Sequence, residues 1–471
     1  MIEKTQLARL GLFDAKLPRY TSYPTSPHFS EDVQDGHFRK WIETLPKGSA
    51  ISLYLHIPFC RRLCWFCACR TQGTQNDAPV IAYLKVLKAE LDLLKEALPE
   101  GISLSRLHWG GGTPTLLSAP MMTELAGKIR ETIPFGSDTE FSVEIDPNEI
   151  DEARLDALAA AGMNRASIGV QDFDPIIQQT IGRLQSYEIT RDAVEAIRAR
   201  GIKSLNTDIL YGLPHQNRKR ITESVQKLLS LSPDRVALYG YAHVPWMAKR
   251  QQLIPSDAMP TPEERLELFE TARRLFAWDG YQEIGIDHFA TPEDGLSIAK
   301  ADGRLRRNFQ GYTDDTAEAL VGLGASAISR FPQGYAQNAS ATGAYTKAIR
   351  AGNFATSRGH CFKGEDLMRA RLIEAVMCDF HISTDEICDS FDVPRKRVQD
   401  MLQKTSNEFE GILDVRNDGL FVPPEARSLT RMIARSFDAY DLSRAGHSTA
   451  ISEHHKRFSM TIASTRPFGV S

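Results

Sequence analysis

The chain has 471 residues, 42% of them hydrophobic and 25% charged, and a net charge of −4 at neutral pH. This is the balance of a globular protein with room for more than one domain. It offers no electrostatic basis for nucleic-acid binding, and no apolar run approaches the roughly 18–20 residues of a membrane span.

In chain order, the opening residues MIEKTQLARLGLFDAKLPRY mix charges and lack the apolar core of a secretory signal, so a cytoplasmic location is expected. The stretch up to residue 45 is an extension containing LPRYTSYPTSPHF, without clear periodicity. From about 50 to 245, short β-branched or aromatic runs alternate with helical patterns. The runs are ISLYLHI (51–57), SRLHW (105–109), EFSVEI (140–145), RASIGV (165–170), LNTDIL (205–210) and RVALYGY (235–241). Between the first two, Leu84, Leu87, Leu91 and Leu94 fall on one face at helical spacing. Further helices are predicted at 118–132, 150–161, 187–200 and 218–231, two of them closing on Gly162 and Gly201. Strands alternating with helices predict parallel βαβ units. Six units are too few for an eight-stranded barrel and enough for an open, partial (β/α)6 barrel of the α/β class.

After 255, TPEERLELFETARRLFAWDG is predicted as an amphipathic helix, YQEIGIDHFA as a strand and loop, and 303–345 as loop-rich. From 363 onward the chain reads as mostly helical, with a short hairpin at GILDVRNDGLFVPP. The predicted domains are 1–45, 46–362 and 363–471.

Four of the seven cysteines lie in CRRLCWFCAC (60–69), on a loop leaving the first predicted strand; Cys361, Cys378 and Cys388 are scattered. Seven are too few for a disulfide scaffold in a chain this long, which directs the cluster of four to metal or redox chemistry in a reducing compartment. A structural zinc site wants two separated ligand pairs, and a CxxC dithiol uses Cys64 and Cys67 alone. Neither accounts for Cys60. The spacing CxxxCxxC supplies three thiolates to a four-iron cubane, which leaves one iron open to another ligand.

The glycine run HWGGGTPTLL (108–117) follows the second predicted strand. Its glycines let backbone approach a ligand closely, and a turn here is expected to point N–H groups at a ligand carboxylate. Polar residues close the later strands: Glu144, Gln171 and Asp208, followed by YAHVP. In parallel α/β folds the reactive groups gather at such strand ends.

In order along the chain, PRYTSYPT, YLHIPFCRRLCWFCAC, LHWGGGTPT, SVEIDP, GVQDF, DILYGLP, YAHVP, RNFQGYT and GASAIS resemble the oxygen-independent coproporphyrinogen III oxidases, a family of the radical S-adenosylmethionine (SAM) superfamily. The resemblance runs from about residue 18 to the C-terminus and is weakest after 360. It implies a [4Fe–4S] cluster held by Cys60, Cys64 and Cys67, with Tyr54, Gly111 and Glu144 contacting the SAM on that cluster. It implies a second SAM, two per chain, surrounded by Phe66, Gly112, Thr113, Gln171, Arg183, Asp208, Ala242 and Ile328. Cys69, just past the last expected ligand, is assigned a part in turnover and not in holding the cluster.

The reaction the resemblance implies begins with SAM cleavage to a 5′-deoxyadenosyl radical, which takes hydrogen from the β-carbon of a propionate. Loss of CO₂ and one electron then leaves a vinyl group, and two rounds convert coproporphyrinogen III to protoporphyrinogen IX in haem biosynthesis. An electron donor protein such as a flavodoxin or ferredoxin system is expected to supply the electron, and a monomer is expected. The N-terminal extension and the helical C-terminal domain are expected to cover the substrate side, with Arg19 and the late arginines as candidates for the propionates. Trp65 and Ala68 depart from the tyrosine and glycine common in the family. Two other classes share parts of the pattern. A haem-binding chaperone related to these enzymes usually lacks the fourth cysteine and the N-terminal extension, both present here. A plain [4Fe–4S] electron carrier has no use for six βα units.

Overall fold

A computed structural model describes residues 4–15 and 17–440. The chain forms two compact units, one of residues 31–362 and one of residues 1–30 together with 363–471. The limits expected from sequence, 45/46 and 362/363, differ from these at the first boundary. Helix α1 (Asp35–Glu43) buries Phe38, Trp41 and Ile42, and the rings of Phe38 and Trp41 pack on Phe331 and Phe354 of the larger unit.

The larger unit is built on one twelve-stranded sheet. Its parallel centre is β1 (Ala50–Ile57), β2 (Ser103–Gly111), β3 (Phe135–Ile145), β4 (Arg165–Gln171), β5 (Ser204–Tyr211) and β6 (Arg235–Gly240), neighbours in chain order. These are the six predicted strands. Two short antiparallel strands, β7 (Gln282–Ile284) and β8 (His288–Ala290), extend the sheet beyond β6, where one strand and a loop were expected. On the other flank β9 (Ala319–Leu323) pairs parallel with β1, followed by antiparallel β10 (Ile328–Phe331), β11 (Gly334–Asn338) and β12 (Thr356–Cys361). Most of this flank falls in 303–345, read from sequence as loop-rich. Its strands run four to six residues and are punctuated by glycine, so none shows a sustained period of two.

The crossovers are α2 (Ala78–Ala97), α3 (Ala119–Thr132), α4 (Glu152–Ala160), α5 (Tyr187–Ala199) and α6 (Arg218–Ser230). Asp151, Ser186 and Asn217 each accept a hydrogen bond from the backbone three residues on, which satisfies an otherwise orphaned N–H and starts the helix. Successive side chains of a strand face opposite ways, and here the two faces differ in kind. Leu53, Leu55, Leu107, Trp109, Phe141, Val143, Ile168 and Ile209 face the core and are essentially fully buried, each contributing about 1.5–3 kcal/mol by burial. The alternate residues are polar: Ser52, Tyr54 and His56; Arg106 and His108; Glu140, Ser142 and Glu144; Arg165 and Ser167; Asn206 and Asp208.

Toward the N-terminal ends of the strands this polar face is closed by ion pairs. Arg106 reaches Glu140 at 2.8 Å and Asp314 at 2.6 Å, Arg165 reaches Glu140 at 2.7 Å, and Arg235 reaches Asp294 at 2.7 Å. Burial works to raise the Glu140 carboxyl, but the Arg165 and Arg106 charges outweigh it and hold it down at about 2. On the other face, the fully buried Glu90 of α2 accepts from Tyr345 Oη and the Gly324 N–H, both at 2.7 Å, and from Asn338 Nδ2 at 2.8 Å. It ties the β9–β11 flank to α2. Burial pushes its carboxyl up to about 7.

The smaller unit contains α9 (Asp366–Asp379), α10 (Thr384–Phe391) and α11 (Arg395–Glu408), the numbering allowing for α7 (Pro262–Trp278) and α8 (Thr342–Arg350) of the larger unit. A three-stranded antiparallel sheet includes the predicted hairpin, Asp414–Arg416 with Gly419–Phe421. The N-terminal tyrosines belong to this unit: Tyr20 Oη donates to Asp438 at 3.0 Å, and Tyr23 Oη accepts from the Ala439 N–H at 2.9 Å. Residues 441–471 of the expected C-terminal domain lie outside the described residues.

Candidate active site

The cysteine loop leaves β1 at Pro58. Phe59–Cys60 and Gln72–Gly73 pair as two short strands and fix both ends of the loop. Its middle is tied where the Trp65 N–H donates to the Ile181 carbonyl at 2.9 Å. The Trp65 ring lies against Gly182, where a Cβ would stand 2.9 Å from the indole, and it packs on a small core that includes Ile177 and Leu210. A third tie is Gln251, which is 1% exposed. Its Nε2 donates to the Phe66 carbonyl at 2.8 Å and the Ala242 carbonyl at 3.2 Å, and its Oε1 accepts from the Val244 N–H at 2.6 Å. One amide thus joins the cysteine loop to the end of β6.

Each of the three expected ligand sulfurs receives a donor from the protein. Thr113 Oγ1 donates to Cys60 Sγ at 3.5 Å, Arg183 Nη1 to Cys64 Sγ at 3.6 Å, and the Cys69 N–H to Cys67 Sγ at 3.4 Å. Donors aimed at sulfur favour the thiolate. The Cys67 thiol is held low by hydrogen bonds from Cys69, whereas burial pushes Cys60 up to about 11. Among the described residues, no three His, Cys, Asp or Glu side chains converge as a single metal ion needs. A cubane makes no such demand, because each thiolate meets a different iron. Three thiols, each with its own donor, fit a cluster.

Tyr54, Gly111 and Glu144 come together through two histidines. Tyr54 stacks on His108 at 5.7 Å between centroids and bonds His56 Nδ1 at 2.9 Å. His108 Nε2 lies 3.4 Å from Glu144 Oε1, and the Gly111 N–H donates to Glu144 Oε2 at 3.0 Å. Burial works to raise the Glu144 carboxyl, but the His108 hydrogen bond and charge prevail and keep it below the ordinary range.

The glycine run differs from expectation. The N–H groups of Gly111, Gly112 and Thr113 are all taken within the protein, by Glu144, the Ile57 carbonyl and the Phe59 carbonyl. A Cβ on Gly112 would stand 2.5 Å from the Phe59 carbonyl. The close approach these glycines permit is therefore between two backbone segments, β2 and the cysteine loop, and the carboxylate that the Gly111 N–H meets is that of Glu144.

Gln171, Arg183 and Asp208 gather around Gly169. Gly169 is the register partner of Asp208 across β4 and β5. A Cβ there would come within 2.9 Å of Gln171 Nε2 and 3.4 Å of Arg183 Nη2, and Arg183 Nη2 donates to the Gly169 carbonyl at 2.8 Å. Gln171 takes φ of 69°, rare outside glycine. The fully buried Asp172 beside it holds that conformation, accepting from Ser224, Gln216 and the Asp174 N–H at 2.7–2.8 Å. Burial pushes the Asp208 carboxyl up to about 7 against an opposing hydrogen bond from Asn206. Ile328 stands elsewhere in the sheet, two strands outward from β1, its carbonyl against Gly322, the partner of Tyr54. His56, His108, Asn206 and Gln251 were not singled out from sequence. The first two flank the motifs HIPF and HWGGG; Gln251 has no signal in KRQQL.

A polar sheet face with a three-thiolate loop at its strand ends defines the radical SAM class, and residues 54–228 match the family model described as the Radical SAM superfamily. Over nearly its whole length the chain is similar to the oxygen-independent coproporphyrinogen III oxidase of Paracoccus denitrificans, 65% identical over 96% of this chain and all of that one. A Cereibacter sphaeroides protein of the same name is 57% identical, over 94% of this chain and 98% of that one. Among solved structures, the coproporphyrinogen III oxidase HemN from Escherichia coli, described as a radical SAM enzyme, aligns with a TM-score of 0.86 at 36% identity, covering 90% of this chain and 98% of that one. The chain belongs to the oxygen-independent coproporphyrinogen III oxidases.

Proposed function

We propose that this chain converts two propionates of coproporphyrinogen III to vinyl groups, giving protoporphyrinogen IX. The cluster and SAM together supply the one-electron chemistry that an unactivated C–H bond demands, and the protein binds, orients and shields. Cys60, Cys64 and Cys67 hold the cluster. The observation that carries this reading is that each of those three sulfurs is met by its own donor from the protein. Glu144, kept ionised by His108 and Gly111, is suited to an ammonium group such as that of SAM's methionine end. Gln171, Arg183 and Asp208 take a second SAM, so that two bind per chain. An arginine and a carboxylate in one desolvated site carry a cost that a zwitterionic ligand offsets.

All these groups come from one chain, which supports a working monomer. The seven cysteines are free thiols, which supports a reducing cytoplasm, and no described helix is long and apolar enough to cross a membrane. The reading also calls for a one-electron donor protein of the flavodoxin or ferredoxin kind. The test is anaerobic turnover of reconstituted protein with SAM, a reductant and coproporphyrinogen III, read by product mass. The expected product has lost two CO₂ and four hydrogens in all. Cys60→Ala, Cys64→Ala and Cys67→Ala should each abolish iron–sulfur absorption and SAM cleavage together; a variant that keeps a full cluster removes that residue from the ligand set.

A further inference from the structure

The segment 244–253, between β6 and α7, is fastened to the cysteine loop: Gln251 bonds the Phe66 carbonyl, and Arg250 Nη2 reaches the Cys69 carbonyl at 3.4 Å and Thr71 Oγ1 at 3.1 Å. The same segment exposes Trp246, Met247 and Leu253 at 53%, 57% and 59%, three of the ten large apolar side chains most exposed among the described residues. Apolar side chains grouped at a surface mark a contact site, and tryptophan and methionine are enriched in such contacts.

The charge around them is mostly positive. Residues 58–72 contain three arginines, of which Arg61 is paired with Asp77 just beyond the stretch, and 242–254 contain Lys249 and Arg250 with no Asp or Glu. The whole chain is net negative. A cavity of about 590 Å³ opens between the two segments, lined by Cys67 and Cys69 on one side and Met247 and Lys249 on the other, and Arg70 and Arg250 add the other positive charges of its wall. The surface is therefore a basic, apolar-centred face one hydrogen bond removed from a proposed cluster ligand, through Gln251 and the Phe66 carbonyl.

We infer that Trp246, Met247, Leu253 and Lys249 form the docking face for the electron donor, a small acidic protein carrying a flavin or an iron–sulfur centre. This rests on the reading of the cysteine loop as the cluster holder. In the docked pair one electron leaves the carrier's centre and reduces the cluster; no group or proton needs to pass between the proteins. Complementary charge steers the encounter and makes it salt-sensitive, and the apolar centre supplies the contact.

The test compares two reductants on the full-length holoenzyme under anaerobic conditions, reading 5′-deoxyadenosine and product. With photoreduced flavodoxin, Lys249→Glu and Trp246→Ala should each raise the KM for flavodoxin about tenfold, and added salt should raise it for the unmutated protein. With dithionite, which needs no docking, the same variants should cleave SAM within about twofold of the unmutated rate. An unchanged KM for flavodoxin alongside intact dithionite-driven cleavage overturns the docking face alone. A raised KM for coproporphyrinogen with an unchanged KM for flavodoxin overturns it in favour of a propionate site. Failure of the unmutated protein to cleave SAM with dithionite overturns the cluster reading, and the docking face with it.

Discussion

Replacing Gln251 isolates the contribution of a single amide to the cysteine loop. In Gln251→Leu, the Phe66 and Ala242 carbonyls and the Val244 N–H lose partners at 2.8, 3.2 and 2.6 Å. At a net 0.5–1.5 kcal/mol per hydrogen bond, the loop is loosened by roughly 1.5–4.5 kcal/mol. At about 1.4 kcal/mol per factor of ten, local opening becomes about ten- to a thousandfold more frequent. Gln251→Glu, nearly isosteric, is the sharper probe: it sets an acceptor against two carbonyls and should cost at least as much. Hydrogen exchange at the Trp65 amide, which is bonded to Ile181, reports the opening, and iron per chain reports its consequence. Both variants should exchange faster and hold less iron. If Gln251→Glu keeps the protection and iron of the unmutated protein, Gln251 is not a tie on this loop.

Cys69→Ser retains the backbone N–H that serves Cys67, so the cluster spectrum should persist while porphyrinogen turnover falls; loss of iron would make Cys69 a fourth ligand. Asp208→Ala should lower SAM stoichiometry from two to one without altering the cluster spectrum, Arg183→Ala should lower it equally while also shifting that spectrum because Cys64 Sγ loses its donor, and equilibrium binding of one SAM by the unmutated, fully loaded protein would eliminate the second site. Glu90 predicts an unusual pH dependence. Its folded carboxyl lies above its unfolded value, so its contribution is complete below the ordinary carboxyl pKa and fades as pH rises through about 7. A rise from 4.5 to about 7 corresponds to about 3 kcal/mol. The urea midpoint should therefore fall between pH 5 and 8, and Glu90→Gln should flatten that fall; equal slopes in both proteins would remove Glu90 as its source.

The six central strands were legible because each carries a β-branched or aromatic run and the runs alternate with helical patterns. The β9–β12 flank was not. ALVGL, ISRF and GYAQN are too short to display a period; ALVGL is a strand because it pairs with β1, more than 250 residues earlier, and ISRF and GYAQN add on outward from it in turn. The site divides in the same way. Cys60, Cys64 and Cys67 announce themselves through spacing within one loop. Gln251 and Glu90 act on partners about 185 and 250 residues away, and nothing local marks them. Gln171 is visible as a polar strand end, but its left-handed backbone depends on Asp172 being fixed by Ser224 and Gln216 of a later segment. The glycine run was legible as a close approach, and the approach seen is that of the cysteine-loop backbone.

The division of the central sheet into an apolar face and a polar face bears on how such a chain can diversify. Neighbouring residues of one strand answer to different constraints: Thr207 and Ile209 are sealed in the core, while Asn206 and Asp208, one position away, face the site. Substitutions at the second set can reshape what is bound without a matching loss of core packing, and the reverse holds for the first. A lineage can therefore explore new substrates along every other residue of six strands while inheriting its stability from the rest.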